Sequence, residues 1–353
     1  MAEGTRTLGP GGGSVTPAKA ATIYDVAQVA GVSHQTVSRF LKGFEGIRPE
    51  TREKVVRALD ELGYRPNLTA RSLKSGLSHR IGALTHEISN VGPSRIAQGA
   101  SAAAREAGYV LDLVSLDVRN SRAIEESLEL ITQFDLAGVL ALSSTDEMTH
   151  AFETIEFRVP VYIDAEADDA VSNHLSDLTS VGMPALIAHL ASLGHTRLVH
   201  IAGPVTWSAA RNRIGAFDAA VEAQGLRSVG ILSGDWSARS GYLAVSELPH
   251  LPDATAFVAA NDQMALGVML ALKERGCRIP EDVSVVGIDD IPEAAFFDPP
   301  LTTLHIDFEA QARSSVHKLI AQIERTGTPR IGRPPAPQLV VRRSSGPAPG
   351  VAS

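Results

Sequence analysis

From Ile81 onward, short apolar runs alternate with longer stretches whose apolar residues recur at helical spacing. The runs IGALT (81–85), YVLDLVSL (109–116), AGVLAL (137–142), VPVYID (159–164), RLVHIAG (197–203), AFVAAND (256–262) and VSVVGID (283–289) have the length of buried strands. Amphipathic helices fit between them, among others over 176–192, 208–224 and 262–275. Strand and helix in regular alternation predict parallel sheets covered by helices on both faces, because parallel neighbours need a crossover. About 260 residues are enough for two such lobes, with ligand binding expected in the crevice at the carboxyl ends of the strands. No internal repeat is evident.

The segment before Ile81 has a different composition. Residues 1–20 are rich in Gly, Thr and Pro and are expected to be disordered. Residues 1–80 hold 12 Lys and Arg against 7 Asp and Glu, while the remainder is acidic enough to bring the whole chain to −8. A basic head on an acidic body fits a head that meets a polyanion, although +5 over 80 residues is also compatible with chance clustering.

Within the head, Ile23, Val26, Ala27 and Ala30 share one helical face, and Thr22 with Asp25 forms a capping-box pattern. Gly31 ends this helix. Ser33 can cap a second, which turns Val37, Phe40 and Leu41 inward. A third begins near Pro49, buries Val55, Ala58, Leu59 and Leu62, and ends at Gly63. RPNLTARSLKSG (65–76) is too short and polar to make a core and reads as a linker.

Two short helices joined by a Gly-containing turn, with a third packing helix, predict an all-α helix-turn-helix head; a solvated three-helix bundle has the same spacing. The second helix carries GVSHQTVSRFL (31–41). In a major groove Gln35 can pair with adenine, Arg39 with guanine, and His34 can offer one donor or acceptor. Ser33, Thr36 and Ser38 are short hydroxyls suited to phosphate oxygens, which set register rather than sequence.

In the body, Asp164, Asn261 and Asp289 stand at strand ends, Trp236 follows a strand in GDWS, and Arg213 lies on the helix after IAGP. Hydroxyl-bearing ligands want such carboxylate and fork-shaped partners beside an aromatic platform. Each residue also has an ordinary structural role open to it, as helix cap, solvated cation or core tryptophan.

Other chemistries lack their motifs. No His/Cys cluster has metal-ligand spacing, no G-x-S-x-G or G-x-x-x-x-G-K-[ST] occurs, and neither a catalytic function nor a cofactor is expected. The single Cys277, the absence of an apolar signal-peptide core at the amino terminus, and the absence of any membrane-length apolar run predict a cytoplasmic protein with no membrane contact.

Longer stretches go beyond spacing. TIYDVAQVAGVSHQTVSRFLKG, RPETREKVVRALDELGYRPNLTARSLKSG, and in the body IAGP (201–204), GDWSARSGY (234–242), AANDQMALG (259–267), VSVVGIDD (283–290) and PPLTTLHIDF (299–308) closely resemble the LacI/GalR family of bacterial repressors over roughly residues 22–343. The resemblance implies a head over 21–66, a hinge over 67–79, and a two-lobed body over 80–343 like a periplasmic sugar-binding protein. Lobe 1 would comprise about 80–176 and 308–335, lobe 2 about 177–304 and 336–343, with a disordered tail over 344–353. It implies that dimers bind pseudo-palindromic operator DNA, that His34, Gln35 and Arg39 read bases, and that Thr22, Thr51 and Tyr64 add backbone contacts. Leu73 matches the hinge residue that wedges into the minor groove, where partial unstacking of a base step permits a bend.

In the body the resemblance is to lactose-type members, and it assigns Pro93, Ile96, Asp164, Arg213, Trp236, Asn261, Asp289 and Phe308 to a sugar effector. Departures concern the ligand's identity: His86, Glu87, Asn90 and Arg95 make the first wall more polar, and Ile306 stands where those members have an amide. The expected ligand is a β-galactoside-like sugar, another glycoside or a disaccharide. Other family members answer to a purine corepressor, and a transport-associated sugar-binding protein would share the body. The chain stops at VVRRSSGPAPGVAS without leucine heptads, which predicts a dimer lacking the tetramer-forming helix of the lactose-type members.

Overall fold

The computed structural model describes residues 21–41, 44–64, 78–86, 88–116, 121–143, 145–166, 168–169, 175–327 and 332–350. Its contacts fall into two units, Met1–Leu77 and Ser78–Ser353. The expected tail over 1–20, most of the hinge, Leu73 and Glu87 lie outside the described residues.

The first unit holds α1 (Ile23–Ala30), α2 (His34–Leu41) and α3 (Pro49–Glu61). Both halves of the capping box form: the Thr22 N–H donates to Asp25 Oδ2 at 2.7 Å, and the Asp25 N–H donates to Thr22 Oγ1 at 3.4 Å. Gly31 closes α1 at φ +65°, a conformation that carries no Cβ penalty for glycine. Ser33 Oγ accepts from the Thr36 N–H at 3.2 Å and opens α2. Arg48 offers no side-chain cap to α3, but Pro49 removes one of the orphan donors. Val26, Ala27, Ala30, Val37, Val55 and Ala58 form the core, flanked by Phe40, Leu41, Leu59, Leu62 and Tyr64.

In the second unit, β1 (Arg80–His86), α4 (Val91–Glu106), β2 (Val110–Leu116), α5 (Ser121–Thr132), β3 (Gly138–Ser143), α6 (Asp146–Thr154) and β4 (Val161–Ala165) build a parallel sheet of order β2-β1-β3-β4. A π-turn (Leu178–Gly182) then leads into α7 (Met183–Ser192). There follow β5 (Arg197–Ala202), α8 (Ser208–Ala223), β6 (Arg227–Ser233), α9 (Ala238–Ser246), β7 (Ala256–Ala259) and α10 (Asp262–Glu274). Next come β8 (Ser284–Asp289), β9 (Thr302–His305), α11 (Phe308–Glu324) and β10 (Gln338–Val340). These strands form a six-stranded sheet of order β10-β9-β8-β7-β5-β6.

Every residue of β7 and β8 is buried, as expected of central parallel strands. Two strands, β9 and β10, escape the sequence reading, and β6 is placed there only as the strand before GDWS. β6 is a half-exposed edge with no continuous apolar run, and β9 and β10 are four and three residues long. β10 also pairs antiparallel to β9, so the larger sheet is not purely parallel.

The expected disorder over 344–353 is corrected for residues 344–350. The Ser344 N–H donates to the Pro300 carbonyl at 2.9 Å, and its hydroxyl donates to the Val285 carbonyl at 2.6 Å. The Ala348 N–H reaches the Leu193 carbonyl at 2.8 Å. Buried His195 lies 3.0 Å from both Thr255 Oγ1 and the Gly346 carbonyl, so Nε2 carries the proton and Nδ1 accepts. A polar Gly/Pro segment looks disordered in isolation, yet its backbone groups are satisfied by partners far away in sequence.

Helices α9 and α10 cross closely because each presents a glycine. A Cβ on Gly267 would collide with the Ala238 carbonyl and lie 2.5 Å from the Tyr242 nitrogen, and one on Gly241 would collide with the Met264 backbone. Gly267→Ala is expected to lower stability by about 1–3 kcal/mol, the cost of overpacking against backbone that cannot yield. Urea unfolding of the variant at neutral pH checks this.

Candidate functional site

Two regions gather the residues singled out from the sequence. On the head, Ser33, His34, Gln35 and Arg39 are exposed along α2, while Thr36 and Ser38 are half-buried. The Thr36 hydroxyl sits 2.9 Å from Ser33 Oγ, so both oxygens already serve the helix start. The Tyr24 ring lies 5.1 Å from the His34 ring, and the Arg39 guanidinium sits 5.7 Å above Phe44. Thr22 is exposed; Thr51, in the first turn of α3, and Tyr64 are half-buried.

In the body the carboxyl ends of the strands converge on one cavity of about 370 Å³. Pro93 and Ile96 reach it from α4, Asp164 from β4, Arg213 from α8, Trp236 from the loop after β6, and Asn261 from the turn after β7. Asp289 ends β8, and Ile306 and Phe308 follow β9. All eight body residues proposed from the sequence therefore line the same cleft.

Several are held at visible cost. Trp236 adopts φ +73° and Asp289 φ +118°, conformations worth on the order of 1–3 kcal/mol of strain each for residues with a Cβ. Asn261 holds Trp236 in place by donating to its carbonyl at 2.9 Å, while its own Oδ1 caps α10 through the Met264 N–H at 2.8 Å. The Trp236 indole lies against Gly203, where a Cβ would collide with the ring. The Arg213 guanidinium stacks 5.2 Å above Trp236 and donates to the Ala260 carbonyl.

Arg213 and Asp289 make an ion pair at 3.7 Å, yet burial pushes the Asp289 carboxyl up to about 6. At that length the pair does not offset the desolvation of a fully buried carboxylate. Asp289 Oδ1, Arg213 Nε and Trp236 Nε1 are buried without a hydrogen-bond partner, so the polar groups behind the cleft wall are incompletely satisfied. Burial also pushes Asp164 above the usual carboxylate range, against the opposing effects of a hydrogen bond from Ser315 and the nearby Lys318.

The structure enlarges and corrects the sequence reading. Gln311, Ser315 and Lys318 continue from Phe308 along one face of α11 into the cleft, a three- and four-residue spacing that could have revealed them. Arg333, pinned to Asp177 at 2.9 Å, brings Pro334, Pro335 and Pro337 to another side. Asn90 lines the cleft as expected, whereas neither His86 nor Arg95 does. His86 is fully buried, edge-on to Trp207 with ring centroids 4.7 Å apart. Trp207, not singled out from the sequence, is the other of the chain's 2 tryptophans and lines the cleft beside Trp236.

Among known proteins, residues 22–67 match the bacterial regulatory proteins of the lacI family, and residues 187–345 match a periplasmic binding protein-like domain. The lactose operon repressor of Escherichia coli K12 is 32% identical over 306 residues, spanning 86% of this chain and 84% of its own length. The regulator MalR of Streptomyces coelicolor is 33% identical over 338 residues, spanning 92% and 97%. The crystal structure of the lac repressor dimer bound to operator and the anti-inducer ONPF aligns with a TM-score of 0.78 at 30% identity, covering 93% of this chain and all of that one. Taken with the helix-turn-helix head and the two-sheet cleft, this identity over nearly the whole chain makes the protein a member of the lacI family, a DNA-binding transcriptional repressor with a small-molecule effector site and not an enzyme.

Proposed function

We propose that the repressor answers to a sugar, with a β-galactoside-like glycoside as the first candidate, and that the sugar in the cleft releases a dimer from a pseudo-palindromic operator. The observation that carries this reading is the grouping of Asp164, Arg213, Asn261 and Asp289 with the indoles of Trp207 and Trp236 around one cleft. A pyranose supplies hydroxyls that both donate and accept, and an apolar ring face for the indole. The indoles of Trp207 and Trp236 meet at 59°, a corner and not the parallel slot that would sandwich a purine. Similarity to the lactose operon repressor supports the same choice.

On the DNA side, Gln35, Arg39 and His34 would read bases, with Ser33, Ser38, Thr22, Thr51 and Tyr64 toward the backbone and Leu73 in the central minor groove. Pairing of two copies is supported by an exposed apolar patch. Leu266 and Leu270 lie on one face of α10, and the ion pair from Lys273 to Asp298 at 2.8 Å brings in the turn that carries Phe296, which is 87% exposed. The cleft and the head would then compete for one conformational equilibrium, and linkage makes their antagonism mutual.

Fluorescence anisotropy of a selected operator, titrated with and without a glycoside panel, tests the central reading: a sugar should weaken DNA binding at least tenfold. A panel without effect, with purines tightening the complex, overturns it. Gln35→Ala should cost about 1–3 kcal/mol on sites with the preferred adenine while leaving the salt dependence of binding unchanged. Phe296→Asp should sediment as a monomer and lose operator affinity.

Asp289 gives a pH prediction with a definite sign. Its folded value, about 6, lies above the ordinary 3.8, so its contribution to stability is full below the lower value and is lost as pH rises through the higher. Asp289→Asn should therefore stabilise the ligand-free protein at pH 7.5 by about 1–3 kcal/mol in urea unfolding. The gain should vanish in acid, and sugar binding should fall at least tenfold.

A further inference from the structure

We infer that Trp207 determines which ring substituents the cleft admits, and that His86 is the positioning residue holding its indole in place. The inference rests on the cleft being the sugar site proposed above.

Trp207 occupies the N-cap of α8, a position where a Ser, Thr, Asp or Asn oxygen would satisfy a free helix amide; the indole provides no such bond. It stands at the edge of the cavity yet is only 7% exposed, because neighbours support it from several sides. Its backbone bridges to Thr145, the N-cap of α6 beside the other sheet. The His86 ring meets it at 69°, and the Trp236 ring lies 5.5 Å away.

His86 has no exposed surface, and neither ring nitrogen has a hydrogen-bond partner. A buried imidazole with both nitrogens unsatisfied is retained for its packing, and burial lowers its value to about 4, so it packs as a neutral ring at pH 7. It packs edge-on against the Trp207 indole from β1 and leaves no exposed surface between them. Trp236 cannot retreat either, since its ring already lies against Gly203 at a distance that excludes a Cβ. The two indoles thus form a fixed corner. A sugar seated in the cleft meets that corner, and the wall at Trp207 cannot move aside for a group added at the ring position facing it.

Calorimetry on the full-length protein tests this with methyl glycosides that differ by one added group (O-methyl, N-acetyl or hydroxymethyl) at each ring carbon in turn. The wild type should reject added bulk at one ring position by tenfold or more. Trp207→Ala should restore binding of that bulkier glycoside alone, Trp207→Phe should restore it partly, and His86→Ala should relax the same position with Trp207 still present. A uniform loss across the panel, or a rejection pattern unchanged in Trp207→Ala, overturns the role of Trp207. Full rejection retained in His86→Ala overturns the positioning role. A wild-type chain that binds no member of the panel overturns the sugar reading, and this inference with it.

Discussion

Parallel strands all end on the same side, and that constraint decides where this protein can do anything. Each parallel strand of the two sheets, β10 alone running the other way among the described strands, delivers its last residue to one edge, where the ladder stops and side chains are freed from pairing. The central strands β7 and β8 are buried along their whole length, so the polar groups that can meet a ligand gather at that edge. The cleft follows from this placement: Asp164, Arg213, Trp236, Asn261 and Asp289 come from separate crossover units, yet meet around one cavity.

The cleft is poorly satisfied for a folded interior. A buried carboxylate sits beyond good ion-pair distance from its arginine, an indole N–H has no acceptor, and two non-glycine residues hold left-handed φ values. Such features persist only where surrounding packing over-determines them. The large cores beneath each sheet and the close α9–α10 crossing supply that rigidity. A ligand that completes the missing hydrogen bonds binds a site that needs little rearrangement, which is the economy of preorganisation.

The head follows a different logic. Three short helices share a core of six buried small or β-branched residues, so caps matter more than they do in the body. The capping box at Thr22, Gly31 in the left-handed conformation and Ser33 at the start of α2 fix the turn between two helices. That turn sets which α2 residues face outward, so local hydrogen bonds decide what the helix exposes.

Much of this was legible in the sequence, because it depends on periodicity and strand ends. The head's helices, the central strands and five cleft residues (Asp164, Arg213, Trp236, Asn261 and Asp289) follow from local pattern, while Pro93, Ile96 and Phe308 came only with the family resemblance. What escaped depends on partners distant along the chain. β9 and β10 are too short to carry an apolar run and exist because a neighbouring strand offers a ladder. Residues 344–350 read as a polar tail but are ordered by bonds to Pro300, Val285 and Leu193. His86 reads as a polar wall residue but lies buried behind Trp207. Sequence by itself determined the alternation, the caps and the chemistry at each strand end, since those obey spacings of two to four residues. Only the tertiary structure decided which side chains share the cleft and which stand behind them, since that depends on two sheets folding toward each other.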